Sequence, residues 1–189
     1  MNPTDDAGVT DSVTAAKSMG RSVEDRVGFG GMVTVELFGP DGELKHSETA
    51  YNLVTDHGDE HVGNRMRLDA TQIVTGMKLG TGATAAAKSG AGAAIVTYEP
   101  ASQEALDAVA GGADLGGGSG WRISHVCTWI AGDVTEVALA EVVLTDESPL
   151  TDVASVVGDT VARFVFAATI DKQAGDSLVV TWNVDFLGA

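Results

Sequence analysis

The clearest pattern lies in the C-terminal third of the chain. Residues 122–130 alternate Ile123, His125 or Cys127, and Trp129 with other positions, and residues 134–144 place Val137, Leu139, Glu141 and Val143 on one face. Residues 161–170 and 178–187 repeat the habit on either side of the turn Asp171-Lys172-Gln173-Ala174-Gly175-Asp176. Side chains two apart share a strand face, so these segments predict an antiparallel sheet whose apolar side needs a second layer. Upstream, Met32-Val33-Thr34-Val35-Glu36-Leu37-Phe38 predicts another strand. Gly39-Pro40-Asp41-Gly42 then predicts a tight turn, and residues 44–51 the returning strand of a hairpin.

The period changes between these regions. Leu53, Val54, His57, His61, Val62, Met66 and Leu68 recur at steps of three and four, which predicts a helix over 53–68 with Asn52 or Thr55 as its cap. A strand is expected over 73–79, a break at Gly80-Thr81-Gly82, a small-residue stretch over 83–95 and a short β-like run at 95–98. Residues 102–109 predict a brief helix and the glycine-rich 111–120 a mobile loop. Residues 1–28 hold few large apolar side chains and read as an extended N-terminal arm ahead of a single domain, 29–189. The fold class predicted is mainly β, a jelly-roll-like antiparallel β-sandwich with one short helix and that arm.

Charge narrows the function classes. The 189 residues carry 27 Asp and Glu against 11 Lys and Arg, a formal net charge of −16. A surface this negative repels phosphate, so neither nucleic acid nor an anionic membrane is an expected partner. No apolar run reaches the roughly 18 residues of a membrane-spanning helix. The polar start lacks the basic and apolar stretches of a secretory signal. Cys127 is the single cysteine, so it has no internal disulfide partner.

Five local features carry possible chemistry. His57-Gly58-Asp59-Glu60-His61 fits His-x-x-Glu-His, the zinc pattern of inverted zincin peptidases. On a helix, His57 and His61 would share a face and a metal while Glu60 polarised a water, with a third ligand from elsewhere. Gly58 inside the motif and the short chain argue against a peptidase, so no metal and no other cofactor is assigned; His57, Glu60 and His61 remain candidates only. Residues 82–89 approach a phosphate-binding loop, but Ala87 stands where its second glycine belongs. His125 and Cys127 lie two apart on one strand face, which admits a nucleophile pair but more simply places a cysteine in a β core. Glu141 falls among apolar neighbours as a paired buried carboxylate or a subunit contact. Trp121, Trp129 and Trp182 read as core or interface anchors. None of these is an enzyme signature, so no catalytic residue is assigned.

The order of segments is more telling than any single site. Tyr51-Asn52-Leu53-Val54-Thr55-x-x-Gly58 precedes a helix, followed by Lys78-Leu79-Gly80-Thr81-Gly82 and a small-residue loop, then Ala140-Glu141-Val142-Val143-Leu144. Ala162-Arg163-Phe164-x-Phe166, Ile170-Asp171-Lys172 and Leu178-Val179-Val180-Thr181-Trp182-x-x-x-Phe186-Leu187 complete the series. Over residues 50–189 it resembles structural proteins of tailed phages and related archaeal tailed viruses: head decoration (minor capsid) proteins and tail or fibre components. The resemblance implies a β module assembled in many copies, without catalytic residues. The function expected is a capsid decoration or cement protein, a trimer on the outer face of the virion. Its partners would be the major capsid protein and its own copies, with Arg21, Arg26 and Trp121 as interface residues. A tail or fibre component and a carbohydrate- or receptor-binding β-module are the alternatives. The net charge suits an outer surface, away from packaged DNA.

Asp outnumbers Glu by 17 to 10, and only five lysines are present. This balance suits either adaptation to high salt, which screens self-repulsion, or solubility alone. Unfolding at about 0.1 M and about 3 M salt separates the two. Stability that rises with salt supports adaptation, and equal stability removes it.

Overall fold

The alternating segments become strands because one face of each meets a facing sheet. The computed structural model describes residues 28–67, 72–115 and 120–187, so the expected arm falls outside the described residues except for Gly28, which already belongs to the first strand. The strands are β1 (Gly28–Phe38), β2 (Leu44–Tyr51), β3 (Leu53–Val54), β4 (Gly76–Gly80), β5 (Glu104–Ala105), β6 (Ala108–Asp114), β7 (Trp121–Trp129), β8 (Glu136–Thr145), β9 (Thr160–Lys172) and β10 (Ser177–Leu187). Among the described residues one α-helix, α1 (Asp56–Met66), lies between β3 and β4.

Two antiparallel sheets result, ordered β2-β1-β10-β7-β6 and β3-β9-β8-β4-β5. The described chain shuttles between them, with β1 and β2 in the first, β3 to β5 in the second, β6 and β7 in the first, β8 and β9 in the second, and β10 in the first. This is a mainly β sandwich with one short helix. Val33, Val35 and Leu37 of β1, Cys127 and Trp129 of β7, and Leu178, Val180 and Trp182 of β10 face Met77, Leu79, Leu139, Val142, Leu144 and Phe164 across the interface. Trp129 donates its indole N–H to the Ser102 carbonyl at 2.8 Å, so that large buried ring leaves its polar atom satisfied.

Several local expectations change. The helix starts at Asp56 rather than 53, because Leu53 and Val54 pair with Arg163 and Ala162 of β9. The strand expected over 73–79 begins only at Gly76. Residues 95–98 contribute a single bridge, Tyr98 to Gly80. The segment 102–109 is not helical: Ser102 Oγ exchanges hydrogen bonds with the backbone of Leu79, and the chain continues into β5 and β6. The expected mobile loop 111–120 is in part strand, since β6 runs to Asp114.

The shared face expected for Val137, Leu139, Glu141 and Val143 also breaks. Glu136 pairs with Lys172, Leu139 with Ile170 and Glu141 with Val165, so the β8–β9 register shifts twice here and the alternation of β8 breaks. Leu139, Val142 and Leu144 then reach the core, while Val137 is exposed. Glu141 reaches residues 82–97 instead. Its carboxylate accepts from the N–H of Gly82 (3.1 Å), Val96 (3.0 Å) and Thr97 (2.9 Å) and from Arg163 Nε (2.8 Å), with neither charged side chain exposed.

Replacing Glu141 by Ala strands both the buried guanidinium and three backbone amides. The expected loss is about 3–5 kcal/mol in denaturant unfolding. Arg163→Met should cost distinctly less, because Glu141 keeps its three amide donors. Equal losses for the two variants would contradict this ranking.

Candidate functional site

The site is built on α1, and α1 is fixed at its start. Thr55 is the N-cap in an extended conformation; its hydroxyl oxygen accepts from Gly58 N at 3.0 Å and donates to the Thr160 carbonyl at 2.5 Å. Thr55 N also donates to the Val161 carbonyl at 3.1 Å, so cap and strand β9 share one network. Asp56 and Asp59 in the first turn and Arg65 in the last complement the helix dipole. Gly58 is required by proximity: a Cβ there would overlap the Val161 carbonyl oxygen. The residue that weakened the helix on propensity is thus the one that lets it dock.

Four residues apart on this helix, His57 and His61 turn to one carboxylate. His57 Nε2 lies 3.1 and 3.0 Å from the two oxygens of Asp146, and His61 Nδ1 lies 2.7 Å from Oδ2. One ligand atom from each residue falls within 4.8 Å of the others. Asp146 follows β8 immediately, and its N–H donates to the Asp159 carbonyl at 3.2 Å. His61 and Asp146 are buried and His57 partly so. Burial pushes the Asp146 carboxyl up, but hydrogen bonds from His61 and then His57 outweigh it and hold the group below its ordinary value. Glu60, the third member of the sequence motif, is exposed and is not part of the cluster; Asp146 takes the third place.

Beside His61 the sandwich opens into a cleft of about 570 Å³, walled by Val62 and Met66 of α1, Val109, Ile123 and His125 of the first sheet, and Phe186 near its end. His125 is 8% exposed and its Nδ1 has no hydrogen-bond partner among the described residues. Burial, and next the neighbouring His61, lower its pKa from 6.5 to about 4.

The remaining candidates are occupied elsewhere. Cys127 is fully buried, its thiol directed at the carbonyls of Glu104 (3.5 Å) and Ala105 (3.4 Å), and burial raises its pKa. An activated thiolate needs the opposite setting. In the stretch resembling a phosphate loop, Gly82 N is given to Glu141, and Lys88 pairs with Asp59. Trp129 and Trp182 belong to the core, whereas the Trp121 ring lies over Gly112 with half its surface exposed. Arg21 and Arg26 lie outside the described residues.

Sequence reasoning found His57 and His61 through their helical spacing but missed Asp146. Its one signal was a charged residue directly after an apolar strand, and nothing local links it to position 57.

Because His125 binds a proton more weakly folded than unfolded, stability should fall as pH drops from 6.5 to about 4, by at most about 3 kcal/mol. Asp146, held below its ordinary value, adds loss at still lower pH. His125→Leu should remove the first part of this slope in acid unfolding and leave the second; an unchanged slope would show that His125 does not carry it. No family model matches the chain, and no curated protein or solved structure does either, so the site is read from its own geometry.

Proposed function

We propose that the chain is a structural protein of a virus particle, a decoration protein that binds the outer face of the capsid lattice and stiffens it. The observation that carries this reading is where most of the distinctive segments go: apart from Thr55 and Gly58, which cap and seat α1, they are spent on framework. Lys78-Leu79-Gly80-Thr81-Gly82 forms β4 and its exit, and Ala140-Glu141-Val142-Val143-Leu144 lies in β8. Ala162-Arg163-Phe164 and the run from Leu178 to Leu187 lie in β9 and β10. Together they build the sandwich core and the buried Glu141–Arg163 pair, which suits a rigid module used in many copies.

Surface charge supports the same reading. Lys78, Arg163 and Lys172 are wholly buried, and Lys45, Lys88 and Arg122 are tied to Asp176, Asp59 and Asp185. Among the described residues these three buried cations are matched by three buried carboxylates, Glu141, Asp146 and Asp176, so the acidic excess behind the net charge of −16 stays on the outside. Such a surface disfavours the DNA-filled side of a shell. Trp121, half exposed on the β6–β7 pair, is an aromatic anchor available for a contact with the shell or with another copy. Placement in the tail or a fibre would draw on the same features. The apolar cleft does not favour a sugar ligand, which would need many polar partners.

The test uses shells assembled from the major capsid protein of the same virus. The full chain should co-sediment with them and raise their resistance to heat, and it should be a trimer in solution. Removing residues 1–27 spares β1, which starts at Gly28, and should abolish binding while thermal unfolding stays unchanged. Failure of the full chain to bind the shells would overturn the decoration reading. Undiminished binding by the shortened chain would remove the arm from the mechanism.

A further inference from the structure

We propose that His57, His61 and Asp146 form a zinc site that ties helix α1 to the end of strand β8. Two imidazole nitrogens and one carboxylate oxygen are a common zinc ligand set, and water completes a four-coordinate site. Bonds of about 2.0–2.1 Å to a tetrahedral ion place ligand atoms roughly 3.3 Å apart. The nitrogen-to-oxygen separations here are 2.7 to 3.1 Å and all three ligand atoms lie within 4.8 Å of one another, so an ion enters as the carboxylate opens and the two imidazoles turn toward it. His57 is only partly buried, which gives the ion a route in and the fourth ligand an exit to solvent.

The ligands are also held in place by their backbones. Thr55 pins the first turn of α1 to Thr160 and Val161, and Asp146 N is bound to the Asp159 carbonyl. Such support keeps three side chains convergent before the ion arrives. The role fits the helix: only Gly58 and His61 of α1 are buried, so no large apolar side chain anchors it. An ion shared by residues 57, 61 and 146 fastens a helix that hydrophobic burial does not. Glu60 is exposed and outside the ligand set, so the ion acts as a cross-link rather than as a hydrolytic centre.

The experiment takes the full chain through a chelator, then titrates it with zinc by calorimetry and with cobalt(II) by visible absorption. One zinc per chain is expected, with the d–d bands of tetrahedral cobalt, bleached when zinc is added. At zinc about one hundred times its Kd, the unfolding midpoint should rise by roughly 5–10 °C. His57→Gln, at the least buried ligand, should weaken binding at least about tenfold without altering the circular dichroism of the zinc-free chain. Asp146→Asn should do the same. A chelated wild-type chain that takes up no zinc overturns the proposal, and so does wild-type affinity in both variants.

Discussion

The Glu141 carboxylate is the point on which the second sheet depends. A buried carboxylate is tolerated only where donors surround it, and here one guanidinium and three backbone amides do so. Those amides belong to Gly82, Val96 and Thr97, so a single side chain draws the irregular stretch 82–97 onto the outer face of β8. Without it, the N–H groups of this stretch would need water, and the strand beneath would lose its cover. Gly80 and Gly82 are small for the same reason, since a Cβ at either would collide with the Glu141 side chain. The first amide of the 82–89 stretch that approaches a phosphate-binding loop is therefore taken by a carboxylate of its own chain.

Burying cations is a habit of this molecule. Lys172 reaches the carbonyls of Ile130 (3.2 Å), Asp133 (2.6 Å) and Val134 (3.2 Å), closing the β7–β8 turn against the end of β9. Lys78 does comparable work at the other end of the same sheet, pairing with Glu147 and donating to the Val153 carbonyl at 2.8 Å. Desolvation lowers the Lys172 pKa, as its burial demands. Each such strut withdraws a positive charge from the surface and joins loops distant in sequence.

Legibility depended on how local each cause is. The β1–β2 hairpin could be read because Pro40 and Gly42 dictate their turn within four residues. The four C-terminal strands could be read from their alternation. The face of β8 could not, because its register against β9 shifts on either side of Leu139, and that pairing is set by a strand distant in sequence. Ser102 and the residues after it have helical spacing, yet hydrogen bonds to Leu79 pull them into the sheet, a tertiary effect outweighing a weak propensity. Asp146 was hidden for the same reason: its meaning comes from residues 85 and 89 positions away.

Helix α1 is a short element without a hydrophobic anchor, and its docking reflects that lack. Eleven residues form a marginal helix in water, and most protein helices are held by an apolar stripe. Here Val62 and Met66 instead line an open cleft, and the burial that remains is given to a glycine and a histidine. Docking must then come from point contacts: the Thr55 cap at one end and the histidine–aspartate cluster along the face. Such contacts are directional, so they fix the helix's rotation more tightly than its depth. The same geometry explains why both histidines point inward on an acidic helix whose solvent face had room for them. They are positioned by what they bind, and Asp146 is the partner that the fold supplies.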